Sequence, residues 1–317
     1  MTKNIVVILP AFNEQQTIAD TMEDFHRALP NAQIWVINNR STDDTEKCAR
    51  DAITRLGCAG GVINETRPGK GSAVRRAFLE LDADYYVLAD ADMTYPANEV
   101  HLLLRPVMEG LADMAVGDRH SGGFYASENK RPMHGFGNQL VRALVNRLFG
   151  AALADIMSGY RVFNRRFVKS YPILVDGFEI ETDMTLHALD KKFRIVEVST
   201  TYRDRPEGSF SKLRTFSDGI RVVNTIGNIL RHYRPFLFFG AIGALFALVG
   251  ILAGIPVFDD WTRFRFIYHL PLAILATGLE IIAVVLIAIG LILDSIVRQD
   301  RASFLRELLA RSSAHGN

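Results

Sequence analysis

The sequence predicts an α/β domain built on a mostly parallel sheet, followed by a two-helix membrane hairpin. Three observations carry this reading. Short β-branched runs alternate with segments of helical periodicity through the first ninety or so residues. Three of those runs end in polar loops, at 10–14, 38–43 and 90–95. Two long apolar runs fill the last third of the chain.

Taken in order, residues 5–9 are a short β-branched run stopped by Pro10, which reads as a buried strand. Residues 17–29 have helical spacing, with Ile18, Met22 and Phe25 on one side. Residues 33–37 read as a second strand. Ser41-Thr42-Asp43-Asp44 marks a helix start, and 45–56 is the helix. A third strand near 61–64 leads into a Gly-rich turn and then a helix through 73–81. Residues 85–89 are a strand that delivers Asp90-Ala91-Asp92. Beyond it, 100–108 and 135–149 read as helices and 195–202 as a strand. Residues 216–233 form a helix with Arg221, Arg231 and Arg234 off its apolar side. Two readings of that helix stand: it lies in a membrane interface, or it packs on the N-terminal domain.

Net charge is +1, which argues against a nucleic-acid binder with a broad basic face. Cys48 and Cys58, the only cysteines, form neither a Cys-x-x-Cys pair nor a zinc spacing, and read as free thiols of a reducing compartment. The chain enters its first strand almost at once, so no secretory leader is expected. Internal repeats and low-complexity tracts are not apparent.

The apolar runs cover 236–258 and roughly 267–293. Each can cross a hydrocarbon core of about 30 Å, and runs this long rarely occur in soluble cores. Gly and Ala in the first suit close helix packing, within one chain or between copies in a homo-oligomer. Glu280 interrupts the second run. It faces a partner helix or a lumen, or else the span starts later. Arg214, Arg221, Arg231 and Arg234 precede the first span; Arg298, Arg301, Arg306 and Arg311 follow the second. The connecting loop has only Arg263 and Arg265, beside Asp259 and Asp260. Both ends therefore belong in the cytoplasm and the loop outside, in a cytoplasmic or inner membrane crossed twice. The expected organisation is a cytoplasmic domain over 1–212, a juxtamembrane helix over 213–234, two spans within 235–297 and a cytoplasmic tail over 298–317.

Asp90 and Asp92 lie one residue apart where a strand frays into a loop, so both carboxylates can converge on one hard cation. Mg²⁺ and Mn²⁺ take oxygen ligands, commonly one or two carboxylates plus substrate phosphates. Taken alone, such a pair is equally at home in solvent. Lys70 sits in Arg67-Pro68-Gly69-Lys70-Gly71-Ser72, where glycines admit close backbone approach and the lysine can neutralise a diphosphate. The spacing is not that of a Walker loop, and a plain turn is the other reading. What joins these segments is position: ligands on parallel sheets sit at strand carboxyl ends, where three of these loops fall.

Pro10-Ala11-Phe12-Asn13-Glu14, Asn38-Asn39-Arg40-Ser41-Thr42-Asp43, Arg67…Gly69-Lys70-Gly71 and Asp90-Ala91-Asp92 together resemble the family 2 glycosyltransferases of GT-A fold. Within that family the chain looks like the polyprenyl-phosphate group, the dolichyl- and undecaprenyl-phosphate sugar synthases. Asp155-Ile156-Met157-Ser158-Gly159-Tyr160-Arg161 is similar to the group's Asp-x-x-x-Gly-Phe-Arg segment, and Tyr202-Arg203-Asp204-Arg205…Gly208-Ser209…Ser211-Lys212 to its Arg-x-x-Gly-x-Ser-Lys segment. The resemblance implies a nucleotide pocket lined by Pro10, Phe12 and Glu14, with Asn39 and Asp43 in the segment facing base and ribose, and Lys70 at the diphosphate. It implies Asp92 as main ligand of Mg²⁺ or Mn²⁺, with Asp90 near ribose or metal. Arg119, Arg131, Arg203 and Lys212 match the positions that grip the acceptor phosphate. The chain departs from the family at Asn38-Asn39-Arg40, where Asp-Asp-Gly is usual, and at Thr94, where many relatives have Gln.

The implied reaction moves a sugar from a nucleotide-sugar, UDP-linked in preference to GDP-linked, to a polyprenyl phosphate at the membrane. That phosphomonoester carries between one and two negative charges, so it needs little help from a general base. Direct attack inverts the anomeric carbon. Asp155 is the acid expected to orient donor or acceptor. Glu181 and Asp183 are second choices, with capping of a helix starting near Thr182 as their other reading. Two competing readings remain, a non-catalytic nucleotide-sugar-binding scaffold and a processive polysaccharide synthase. The second lacks its usual Gln-x-x-Arg-Trp segment here.

Overall fold

The structure, a computed structural model, describes residues 3–120, 132–177, 179–203 and 218–314. The chain divides into two compact units, Met1–Thr215 and Phe216–Asn317.

Among the described residues of the first unit, seven strands form one sheet. They are β1 (Ile5–Ala11), β2 (Gln33–Asn38), β3 (Gly60–Asn64), β4 (Tyr85–Leu88), β5 (Met114–Asp118), β6 (Arg161–Asn164) and β7 (Ile195–Ser199). Their spatial order is β3-β2-β1-β4-β6-β5-β7. β1 lies parallel to β2 and β4, β2 to β3, and β5 to β7. Only β6 is reversed, antiparallel to both β4 and β5. This is the expected mostly parallel sheet. β1 and β4 read as continuous apolar runs because helices cover the sheet on both sides. The Ile18–Ala28 helix buries Ile18, Met22 and Phe25, the side predicted from its spacing. The Thr45–Leu56 helix stops at Gly57, which takes the left-handed conformation common after a helix end.

Three features differ from the expectation. β5 and β6 were not anticipated: Met114–Asp118 and Arg161–Asn164 are short and mix apolar with Gly, Asp, Arg and Asn residues, so neither reads as an apolar run. The last strand ends at Ser199, short of 202. The helix expected from residue 73 begins at Lys70, so the Gly-Lys-Gly segment is its first turn. Gly69 precedes that turn at φ 106°, and a Cβ on it would lie 2.0 Å from the Asp176 carbonyl oxygen. The glycines of this segment admit the protein's own backbone at 175–177, with Gly71 N–H donating to the Gly177 carbonyl at 3.2 Å.

In the second unit the Asp218–Tyr233 helix precedes two helices long and apolar enough to cross a membrane. They run from Pro235 to Phe264 and from Leu270 to Ala314, 30 and 45 residues. Both outrun their apolar cores, because a helix continues into polar sequence until a breaker stops it. Gly243 and Gly250 on the first are buried where Ala283 and Glu280 of the second approach them. These small residues allow the close backbone approach by which helices associate in lipid. The Glu280 carboxylate lies against Gly250, inside the hairpin as one sequence reading had it.

Gly69→Ala places a side chain in both a left-handed backbone and a carbonyl. We expect a loss of at least about 2 kcal/mol in stability, read by urea unfolding of the full-length protein in detergent.

Candidate active site

Every strand of the sheet except β6 presents its carboxyl end at one edge, and β6 presents its amino end there. Six segments therefore meet: the loops after β1, β2 and β4, the residues after β5 and β7, and the stretch 155–160 before β6.

The loops are fixed by hydrogen bonds to one another. Asn13 N–H donates to Ser41 Oγ at 3.0 Å, and Asn13 Oδ1 accepts from Thr42 N–H at 2.8 Å. Glu14 N–H donates to Thr45 Oγ1 at 2.8 Å, and Gln15 N–H to Asp43 Oδ2 at 3.2 Å. Thr17, just before the first helix, and Thr21, on it, donate their hydroxyls to the Ala91 carbonyl at 2.8 and 3.3 Å, which pins the backbone between the two aspartates. Thr94 donates hydroxyl and backbone N–H to Asp92 Oδ1 at 2.6 and 3.2 Å. In the position where relatives carry Gln, this chain thus has an Asp92 clamp. Asn13, Arg40 and Met93, one in each loop, have φ of 55°, 60° and 63°. Left-handed backbone at non-glycine residues is uncommon and persists only where surroundings enforce it.

Lys70 is the centre of the acidic side. Its Nζ donates to Asp90 Oδ1 and to Glu181 Oε1, the latter at 2.5 Å. Burial alone would lower the Lys70 ammonium, but Asp90 and Glu181 outweigh it and hold it above the ordinary lysine range. Gly159 makes the room: a Cβ there would lie 2.9 Å from Lys70 Nζ and 3.1 Å from Asp90 Oδ2. Glu181 sits in the first turn of the Ile180–Asp190 helix without capping it, and Asp183 accepts from Tyr171 Oη at 2.6 Å.

Arg119 follows β5 and is clamped by Asp155. Its Nε and Nη2 donate to the two carboxylate oxygens at 2.7 and 3.1 Å. Burial raises the Asp155 carboxyl, yet the Arg119 guanidinium more than reverses this and holds it below the usual carboxylate range. Arg119 also lies 5.5 Å from the Tyr202 ring centre. Tyr202 meets Tyr95 edge-on at 5.6 Å, and Tyr95 packs on Tyr160 at 5.2 Å. Burial pushes the Tyr95 phenol up; Arg119, Asp90 and Lys70 all lie within its electrostatic reach. The acidic loop and Arg119 therefore share one aromatic floor.

The structure brings Asp90, Asp92, Lys70, Glu181, Arg119 and Asp155 to this edge. Phe12 stands beside it, 43% exposed; Pro10 is the penultimate residue of β1. Asn39 spends its amide on the neighbouring turn, accepting from Gly69 N–H at 2.8 Å and donating to the Arg67 carbonyl at 2.6 Å. Asp43 accepts from Thr45 N–H at 3.0 Å at the start of the second helix. Arg203 donates its backbone N–H to the Thr94 carbonyl at 2.9 Å, and its side chain is half exposed. Arg131 and Lys212 lie outside the described residues. Sequence reasoning missed Thr17 and Tyr95. A threonine just before a helix and a tyrosine after a loop carry no local sign of what they touch.

Asp90 and Asp92 fit a hard divalent cation by donor type. Among the described residues, no group of three or more His, Cys, Asp or Glu is placed to hold a metal. A cation here needs further oxygens from outside the protein, the usual arrangement for a magnesium–nucleotide rather than a structural ion.

Replacing the buried Asp155 carboxylate by an amide takes away the charge that holds both arms of Arg119. We expect Asp155→Asn to cost about 3 kcal/mol at neutral pH. The folded-state pKa lies below the unfolded value of about 3.9, so the contribution is present above it and lost as pH falls through the folded value. The difference between wild type and Asp155→Asn should therefore shrink below about pH 4, read by urea unfolding across pH.

Comparison with known proteins agrees with this geometry. The model of glycosyl transferase family 2 matches residues 6–171. Glycosyltransferase AglJ of Haloferax volcanii is 30% identical, over 95% of this chain and 96% of its own. The dolichol-phosphate mannosyltransferase of Pyrococcus furiosus is 29% identical, over 80% of this chain and 70% of its own. Among solved structures, glucosyl-3-phosphoglycerate synthase from Mycobacterium tuberculosis, in complex with Mn²⁺, UDP and glucosyl-3-phosphoglycerate, superposes with a TM-score of 0.55. It covers 73% of this chain and 79% of its own at 21% identity, a likeness of fold. The chain belongs to glycosyl transferase family 2, on a GT-A fold.

Proposed function

We propose that the protein moves a sugar from a nucleotide-sugar, UDP-linked by preference, to a polyprenyl phosphate at the cytoplasmic face of a membrane, with inversion at the anomeric carbon. The observation that carries this is the Arg119–Asp155 pair. It sets a partly buried guanidinium on the same aromatic floor as the Asp90–Asp92 loop, in a chain that also holds two membrane-length helices. A planar guanidinium held from behind by a carboxylate is suited to a phosphate oxygen.

In this reading Phe12 stacks on the base, while Pro10, Glu14, Asn39 and Asp43 wall the nucleotide pocket. Lys70 faces the diphosphate. Asp92, oriented by Thr94, and Asp90 hold Mg²⁺ or Mn²⁺, which neutralises charge on the leaving diphosphate. Arg119 grips the acceptor phosphate, joined by Arg131, Arg203 and Lys212. A phosphate oxygen bonds to the anomeric carbon as the nucleoside diphosphate leaves. The nucleophile is already an anion, so catalysis rests on positioning and on charge neutralisation. Asp155 acts through Arg119 and is a positioning residue. The hairpin tethers the domain to the membrane that holds the acceptor, which raises its effective concentration. Excess arginine outside both spans supports a cytoplasmic active site.

Purified full-length protein should convert a UDP-sugar and undecaprenyl phosphate to a lipid-linked sugar when Mg²⁺ or Mn²⁺ is present. A panel of UDP- and GDP-sugars tests it: no lipid-linked product from any donor overturns the transfer, and product from GDP-sugars alone overturns the UDP preference. Asp92→Ala should lower kcat/KM by at least about 100-fold.

A further inference from the structure

We propose that Lys70 stands in for the divalent cation, and passes from Asp90 to Glu181 when the metal arrives. Glu181 then sets the metal affinity of the site. This rests on the reading of Asp90 and Asp92 as cation ligands.

The Lys70 ammonium bridges two carboxylates with different surroundings. The Asp90 side chain is 29% exposed and belongs to the cleft; that of Glu181 is 7% exposed and belongs to the helix behind it. A cation on Asp90 meets an ammonium bonded to that same carboxylate. Like charges in contact at a partly buried site repel strongly. Without a second partner the ammonium could leave Asp90 only by becoming a buried, unpaired charge. Glu181 removes that penalty, because it already holds the ammonium at 2.5 Å. The movement is small and local. Lys70 is the first residue of its helix, and the preceding Gly69 N–H is tied to Asn39. The backbone therefore stays while the four-carbon stem swings. Gly159 offers no side chain to block it.

The test is titration of full-length protein in detergent with Mn²⁺ alone, free ion being read by electron paramagnetic resonance. Glu181→Gln should weaken Mn²⁺ binding by about tenfold, because Lys70 then has only Asp90. Lys70→Met should tighten it, and by a larger factor in the Glu181→Gln background than in wild type. Equal gains in both backgrounds signify plain charge additivity and overturn the proposal. Should Lys70→Met not fold, Glu181→Asp decides: it keeps the charge but draws the carboxylate back, and should weaken Mn²⁺ as Glu181→Gln does. Wild-type affinity in Glu181→Asp overturns the hand-over. If wild type binds no Mn²⁺, or Asp92→Ala binds it as tightly as wild type, the metal reading itself fails and takes this inference with it.

Discussion

β6 runs against its neighbours, and that reversal decides what the cleft contains. A parallel strand in its place would deliver its carboxyl end to the functional edge and send residues 155–160 to the far side of the sheet. Reversed, β6 hands over its amino end, and with it Asp155 and Gly159. The turn into β6 is held by Arg161, which is fully buried. Its guanidinium donates to the carbonyls of Ser158 and Ile156 at 2.8 and 2.9 Å, and to Thr185 Oγ1 at 3.0 Å. One side chain thereby fastens the 155–160 turn to the helix that carries Glu181. A buried arginine is tolerable only because nearly all its donors are used.

The rest of the edge is built by the same rule of spending polar groups inside the protein. Asn38 bonds to Asn64 and Ser41, Asn39 to the Arg67–Gly69 turn, Thr17 and Thr21 to Ala91, and Thr94 to Asp92. Each bond fixes a loop that would otherwise sample many conformations. Ordering those loops costs conformational entropy during folding rather than during substrate binding. The left-handed residues Asn13, Arg40 and Met93 fit this picture, since strained backbone survives only in an over-determined setting.

Much of this was legible in the sequence. β1, β2 and β4, their loops and the apolar hairpin are long or patterned enough to be read directly, and the family resemblance rests on the loops. β5 and β6 were not legible, because their short apolar stretches are broken by Gly, Asp, Arg and Asn and β6 owes its direction to tertiary pairing. The Gly-Lys-Gly segment looked like an open turn, because a sequence cannot distinguish a glycine that admits a ligand from one that admits another part of the chain. Asp155 was legible as an important acid but not as the partner of Arg119, 36 residues away. Glu181 was recognised as acidic and near a helix start, whereas its partner Lys70 comes from a distant helix.

Lys70 and Arg119 stand close to several carboxylates, so each could pair wrongly. Arg119 and the Asp90–Asp92 loop border the same tyrosines, Tyr95 and Tyr202, and an unclaimed guanidinium would be drawn to the aspartates. Such a pair would neutralise the acidic loop and draw Arg119 away from Asp155 at once. Asp155 prevents this by holding both arms of Arg119 in a fixed fork. Glu181 plays the matching part for Lys70 on the other side. The two pairs divide the edge into an acidic part around Asp90 and Asp92 and a part where the Arg119 guanidinium is held in place by geometry. One carboxylate behind each of these cations thus keeps the charges of the edge from collapsing onto one another.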